Sequence, residues 1–402
     1  MIHTVEGQIK AGESLTIHGE GFSEKENPRP YFLWESDHGS QPRDVGRHTS
    51  WSGSVNGEPS AEKISGNSSQ SWRFDHGRSS GAALGGVEFQ SDQLFVFRRT
   101  YEDFDTSKDF SIRTRVTNME GQPEAGQTVT GQSSGATGVI QSVSEDGSNR
   151  YAIYYEKSGG SINGDNPTDF EYGEVMTTET ATFENTEGTS TYPTGTYRTF
   201  NFKTFRLWNQ QYNNNIHLGA GRDKKFNLLP EGTDGMFWNG SMDIPLRQRE
   251  HVWKSEEVYY QSGSLNTRDG ILDFRMDNTQ HYDHKIVMRN DSRPGKYDIV
   301  YQSQVSNGAQ PGSYIYYDHL YIDDSWHHVA ACEAPTWSEC TDKALQVPLE
   351  WEDSRIKVEF NPRHLTANED FFLYIVDGEG NANQEGFRVC MECPESPELR
   401  VE

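Results

Sequence analysis

Long apolar runs are missing from this chain of 402 residues. No stretch approaches the roughly 20 apolar residues that a membrane-spanning helix needs. The N-terminus, MIHTVEGQIKAGESL, has neither a basic segment nor an apolar one, so it does not read as a secretion signal. Three turns of sustained helical periodicity occur nowhere. Cationic side chains are scarce: 36 Lys and Arg stand against 61 Asp and Glu, a formal net charge of −25. Such a surface repels nucleic-acid phosphates and anionic membranes, so neither is an expected partner. Cysteine is scarce too. Cys332, Cys340, Cys390 and Cys393 are the only four, spaced C-x7-C and then C-x2-C. The seven-residue gap is poor for a second zinc knuckle, so the expectation is no metal and a local Cys332–Cys340 staple, with free thiols as the alternative. G-x-S-x-G, H-E-x-x-H, the P-loop and the dinucleotide fingerprint are all absent.

What is present is aromatic and turn-forming. Aromatic residues make up 12% of the chain, which argues against disorder, and the 38 glycines sit among abundant Ser, Thr, Asn and Asp. That mixture describes many short strands joined by turns, an all-β chain. The clearest hairpin is Trp253–Asn278, WKSEEVYYQSGSLNTRDGILDFRMDN. Val258-Tyr259-Tyr260 supplies β-branched and aromatic residues, Asp269-Gly270 marks a turn, and Ile271–Asp277 alternates. The Trp that opens one strand and the D-G-apolar-x-apolar pattern that opens the next resemble the central hairpin of concanavalin/laminin-G-like jelly rolls, a fold shared by lectin-like domains and polysaccharide lyases.

The ends carry a second resemblance. Gly12, Leu15, Ile17, Gly19, Gly21 and Phe22 are similar to the opening of IPT/TIG immunoglobulin-like domains. PLEWEDSRIKVEF and FFLYIVDGEGNANQEGF, near the C-terminus, resemble later strands of the same module. Residues 1–35 with 327–402 are therefore expected to form one split Ig-like sandwich. Into it the jelly roll, 36–125 with 190–326, is inserted. Residues 36–80 read as a polar surface loop pinned by Trp51, Trp72 and Phe74. Leu94–Val116 reads as jelly-roll strands with Arg98, Arg99, Arg113 and Arg115 opposite the apolar residues. GQTVTGQSSGATGVI, from Gly126, and the echo at Phe170, Gly173, Glu174 and Val175 resemble a small β module of bacteriophage structural proteins, and give a third unit at 126–189.

The module and the Ig-like ends together imply a bacteriophage virion protein, an exposed tail or capsid accessory. Its expected partners are other virion proteins, further copies of itself and a host surface glycan. It would assemble in the host cytoplasm and become extracellular after lysis. No cofactor is expected; calcium, which laminin-G-like folds often carry, is the single candidate. For a glycan, the candidate residues are Arg206, Trp208, Tyr212, Asn215, His217, Trp238 and Tyr301, since aromatic faces stack on sugars and fixed polar groups orient hydroxyls.

The alternative is a polysaccharide lyase acting on uronate-containing glycans by β-elimination. N-x-H at 215–217 and GKYDIVYQ at 295–302 are similar to the Q-x-H and K-x-G-x-Y-x-Q motifs of alginate-lyase-like enzymes, departing in the first residue and in the Gly spacing. That likeness implies Arg206, His217 and Tyr297 as the catalytic set. Arg206 alternates with Phe205 and Leu207, and His217 with Ile216 and Leu218, so both are expected on the non-core face of their strands. Tyr297 shares its phase with Ile299 and is expected in the core. The expectation leans to binding over catalysis.

Overall fold

The computed structural model describes residues 1–75, 82–103, 112–145, 147, 149–159, 170–186, 197–198, 202–212, 214–220, 225–231, 244–245, 248–302, 314–363, 365–366 and 370–389. Among them the regular structure is strand, with short 3-10 turns at Ser36–His38 and Trp337–Glu339. The protein is all-β, with a jelly-roll-type sandwich of two antiparallel sheets at its centre.

The hairpin foreseen at Trp253–Asn278 lies in an eight-stranded sheet. Trp253–Gln261 pairs on one side with Gly270–Met276 and on the other with Gln93–Asp103, which in turn pairs with Tyr314–Asp323. Facing it is a six-stranded sheet in the order Ile244–Pro245, Lys225–Glu231, Asn214–Ala220, Phe202–Asn209, Ile299–Gln302, Leu84–Glu88. Alternation decides what fills the space between. Val96, Val258, Leu272, Phe274 and Leu320 point in from the first sheet, and Phe205, Leu207, Ile216, Leu218 and Val300 from the second. A buried charge cluster crosses this core. Glu256 takes ion pairs from Arg98 and Arg249, and Arg249 pairs also with Glu102 at 2.7 Å.

The other face of the eight-stranded sheet is covered as well. Phe95, Phe97, Tyr259 and Tyr321 pack against Leu345, Val347, Tyr374 and Val376 of a seven-stranded sheet. That third sheet joins the two ends of the chain: Ser14–Gly19 pairs with Arg355–Glu359, setting Leu15 opposite Val358 and Ile17 opposite Ile356. Buried ion pairs stud the contact, Lys343–Glu257, Lys25–Asp323 at 2.5 Å and Arg363–Glu35 at 3.0 Å. A disulfide joins Cys332 and Cys340, whose Cα atoms are 5.8 Å apart, beside this contact. Cys390 and Cys393 lie outside the described residues.

A fourth sheet, of seven strands, surrounds Val116, Val129, Ile140, Ile153, Met176 and Phe183. Its wording in the sequence has a physical cause. The buried Glu174 carboxylate accepts hydrogen bonds from the Ser134 amide and hydroxyl, at 3.1 and 3.0 Å, and from the Ser133 amide at 3.3 Å. It thereby ties the second half of the motif to the first. A Cβ on Gly131 would stand 2.4 Å from a Glu174 oxygen, so a larger residue there would displace this carboxylate.

Three expectations are corrected. Ile112–Gly121 belongs to this fourth sheet, pairing with Tyr151–Gly159 and Ala181–Asn185, and not to the jelly roll. Phe32–Glu35 leaves the terminal sandwich to pair with Tyr314–Asp323. Residues 36–80 are not all loop: Glu58–Ser60 and Ser71–Asp75 extend the eight-stranded sheet, and Trp72 and Phe74 enter its core. Arg98 and Arg99 are both buried, on opposite faces of a strand covered on both.

Candidate functional site

With both faces of the eight-stranded sheet covered, the outer face of the six-stranded sheet is where outward residues can meet a ligand. Register builds the site. Arg206 sits opposite His217 on one neighbouring strand and opposite Tyr301 on the other. These three form a row across three strands. One step along the strands, Trp208 sits opposite Asn215 and Ile299, and Ile299 opposite Glu88. The Arg206 guanidinium lies over the Trp208 ring, 4.1 Å from its centroid, and donates from Nε to Asn215 Oδ1 at 2.5 Å. Trp208 and Tyr301 are tilted neighbours with centroids 6.1 Å apart. Gly86 on the next strand lets Tyr301 lie close; a Cβ there would meet its Cε1 at 2.6 Å.

The row is shielded unevenly. His217 is 1% exposed, Asn215 3% and Tyr301 9%, whereas Arg206 and Trp208 are half-buried. Burial lowers the His217 pKa well below its ordinary value, and nearby Lys203 and Arg206 push the same way, so the imidazole is neutral at pH 7. Burial likewise raises the Tyr301 phenol, which stays protonated, even though Gln210 and Arg206 pull the other way.

Beyond Trp208 the face runs into a groove of about 470 Å³. Tyr31, His48, Glu88, Gln90, Gln210 and Asp298 line it. Tyr31 and His48 are stacked, 5.4 Å between centroids at 4°, and the Tyr31 hydroxyl donates to the Glu88 carbonyl at 2.8 Å.

Of the residues named from sequence, Arg206, Trp208, Asn215, His217 and Tyr301 share one face. Tyr212 does not join them: it lies in the turn after Phe202–Asn209 and packs on Gly295. Trp238 lies outside the described residues. Tyr297 is corrected out of the lyase set. It is 2% exposed in the sandwich core, edge-on to Tyr260 at 5.7 Å. The chain at 291–298 is not strand, so Tyr297 does not share the outward phase of Ile299. Tyr301 is the tyrosine in register with Arg206. The groove was missed altogether. Its residues come from five separated segments, and no local pattern joins them. Among the described residues no group of three His, Cys, Asp or Glu is arranged to hold a metal ion.

The site thus belongs to an all-β sandwich protein with a cationic, aromatic patch on one outer sheet face. No protein-family model matches the chain, and no curated protein does. Solved structures with a similar arrangement include alginate lyase Aly36B, 11% identical with a TM-score of 0.28, over 73% of this chain and 97% of that one. A marine PL-14 alginate lyase from Aplysia kurodai is 9% identical, TM-score 0.26, over 66% and 86%. The endo-beta-1,4-glucuronan lyase of the fungus Trichoderma reesei is 7% identical, TM-score 0.22, over 80% and 90%. At such identities and scores no residue role passes from them to this chain.

Proposed function

We propose that the outer face of the six-stranded sheet recognises an acidic, uronate-containing glycan. One observation carries this reading: His217, Arg206 and Tyr301 stand in register on three adjacent strands, with Trp208 and Asn215 one step away. A guanidinium is suited to a planar carboxylate, which it can bind in two-pronged fashion. An aromatic ring beside it offers a stacking surface for a sugar. Within a surface of net charge −25, a local cationic patch is the feature that a uronate would seek. Titrating the protein with defined uronate oligosaccharides tests this. Wild type is expected to bind and Arg206→Ala to lose at least tenfold in affinity; equal binding by the two sinks the proposal.

β-Elimination is the second reading, and one pair of observations favours it. A base must be unprotonated and an acid protonated, and burial drives His217 and Tyr301 into those states. Arg206 would neutralise the carboxylate while His217 takes the proton α to it and Tyr301 protonates the leaving oxygen. An absorbance assay for unsaturated uronates separates catalysis from binding. Turnover abolished by Tyr301→Phe, with binding retained, is the outcome that supports it. Attachment to a bacteriophage particle is proposed from the sequence of residues 126–175, and mass spectrometry of purified virions tests it.

A further inference from the structure

The site is polar in the electrical sense along its length, and that bears on which acidic glycan fits. Its cationic end is Arg206, with Lys203 near enough to act on His217. Two residues further along the strand comes the row Trp208–Ile299–Glu88, a shift of roughly 7 Å. There the groove begins, lined by the carboxylates of Glu88, on the sheet, and of Asp298, just before the strand Ile299–Gln302. Glu88 is exposed and accepts from the Ser52 hydroxyl at 2.7 Å. Asp298 accepts from Asn209 Nδ2 at 3.1 Å, and its pKa is raised by burial, with Glu88 adding to the effect. Of the neighbouring cations, Arg47 lies over the Tyr31 ring at the groove's far side, 5.3 Å from its centroid, with its charge paired to Asp324 at 2.5 Å, and Lys296 pairs with Asp92.

We infer that the glycan is a mixed polymer, with a uronate at Arg206 and an uncharged, hydroxyl-rich sugar in the groove between Glu88 and Asp298. This rests on the acidic-glycan reading of Arg206 given above. Carboxylate oxygens accept hydrogen bonds from sugar hydroxyls, and the Gln90 and Gln210 amides can both donate and accept. A second uronate in the groove would face two like charges, one of them on a half-buried side chain, which disfavours homopolymers of uronic acid. Gln210 links the two halves, since it lines the groove and lies near enough to Tyr301 of the cationic row to lower its pKa.

An array of uronate oligosaccharides of equal length, homopolymeric or alternating with uncharged sugars, tests the inference on the full chain. Alternating oligomers are expected to bind at least tenfold more tightly than homopolymers. The double variant Glu88→Gln, Asp298→Asn should cut that ratio below threefold by improving homopolymer binding, and Arg206→Ala should weaken both classes. Homopolymers binding as tightly as alternating oligomers, or a ratio unmoved by the double variant, would overturn the mixed-glycan inference while leaving the acidic-glycan reading in place. Arg206→Ala without effect on either class would remove both.

Discussion

The two sheets of the jelly roll present outward faces made by the same alternation, yet they serve opposite ends. On the eight-stranded sheet the outward residues are Phe95, Phe97, Arg99, Glu257 and Tyr259, and the terminal sandwich covers them. On the six-stranded sheet they are Arg206, Trp208, Asn215, His217 and Tyr301, and two of these stay partly open. Both faces hold charge. In the covered face Lys343 is matched with Glu257 and Lys25 with Asp323 across the contact. A buried ion without a partner is costly, so such pairs tie the two sandwiches in one arrangement. In the open face Arg206 rests on Trp208 and Glu88 and Asp298 line the groove beyond it, an arrangement suited to selecting a ligand.

The comparison breaks most severely where buried charge loses its partner. Glu256→Leu leaves Arg98 and Arg249 facing each other in the core, and unfolding by urea should show a loss of about 3–5 kcal/mol. A loss under about 1 kcal/mol would mean that the cluster is hydrated and not part of the core.

Acid should act next, and on the covered face. His319 and His328 lie there, and burial pulls both down to about 3. His328 stacks on Phe95 with ring centroids 4.1 Å apart. Because their folded pKa lies below the unfolded value near 6.5, their contribution is intact above pH 6.5 and lost as pH falls toward 3. By pH 4.5 each would withdraw roughly 2–3 kcal/mol. Asp323, pushed up to about 7 by burial, runs the other way, gaining stability as pH falls through 7, and offsets part of the loss. Urea midpoints measured between pH 7 and 4.5 should therefore fall, and His328→Phe should flatten the decline. A midpoint that rises on acidification would contradict this balance.

The smallest stability effect belongs to the open face. Arg206→Ala removes a half-buried side chain resting on Trp208, and its melting should differ from wild type by no more than about 1 kcal/mol. Calorimetry checks this. A larger loss would place Arg206 among the structural charges and blur the distinction between the faces.

Much of this was legible in order along the chain. Alternation put Phe205, Leu207, Ile216 and Leu218 on one side and Arg206 and His217 on the other, because side chains of a strand point to opposite faces with period two. The turn signal at Asp269-Gly270 located the hairpin for the same local reason. Cys332 and Cys340, eight residues apart, are joined across a short loop. Tertiary structure alone decided which outward face is covered. Alternation said that Arg98 and Phe97 point apart; only the packing of Ala344–Glu352 and Phe371–Val376 on one side and of Phe202–Asn209 and Ile299–Gln302 on the other shows that both are buried. It decided that Tyr301 is in the row; Tyr297, expected in the core, is there, though the irregular stretch before Ile299 carries no phase. It also brought Tyr31, Glu88, Gln210 and Asp298 to one groove. Side-chain direction is set by a residue's own backbone, and so it can be read locally. Burial and charge environment are set by segments far away in the chain, and those the fold has to assemble.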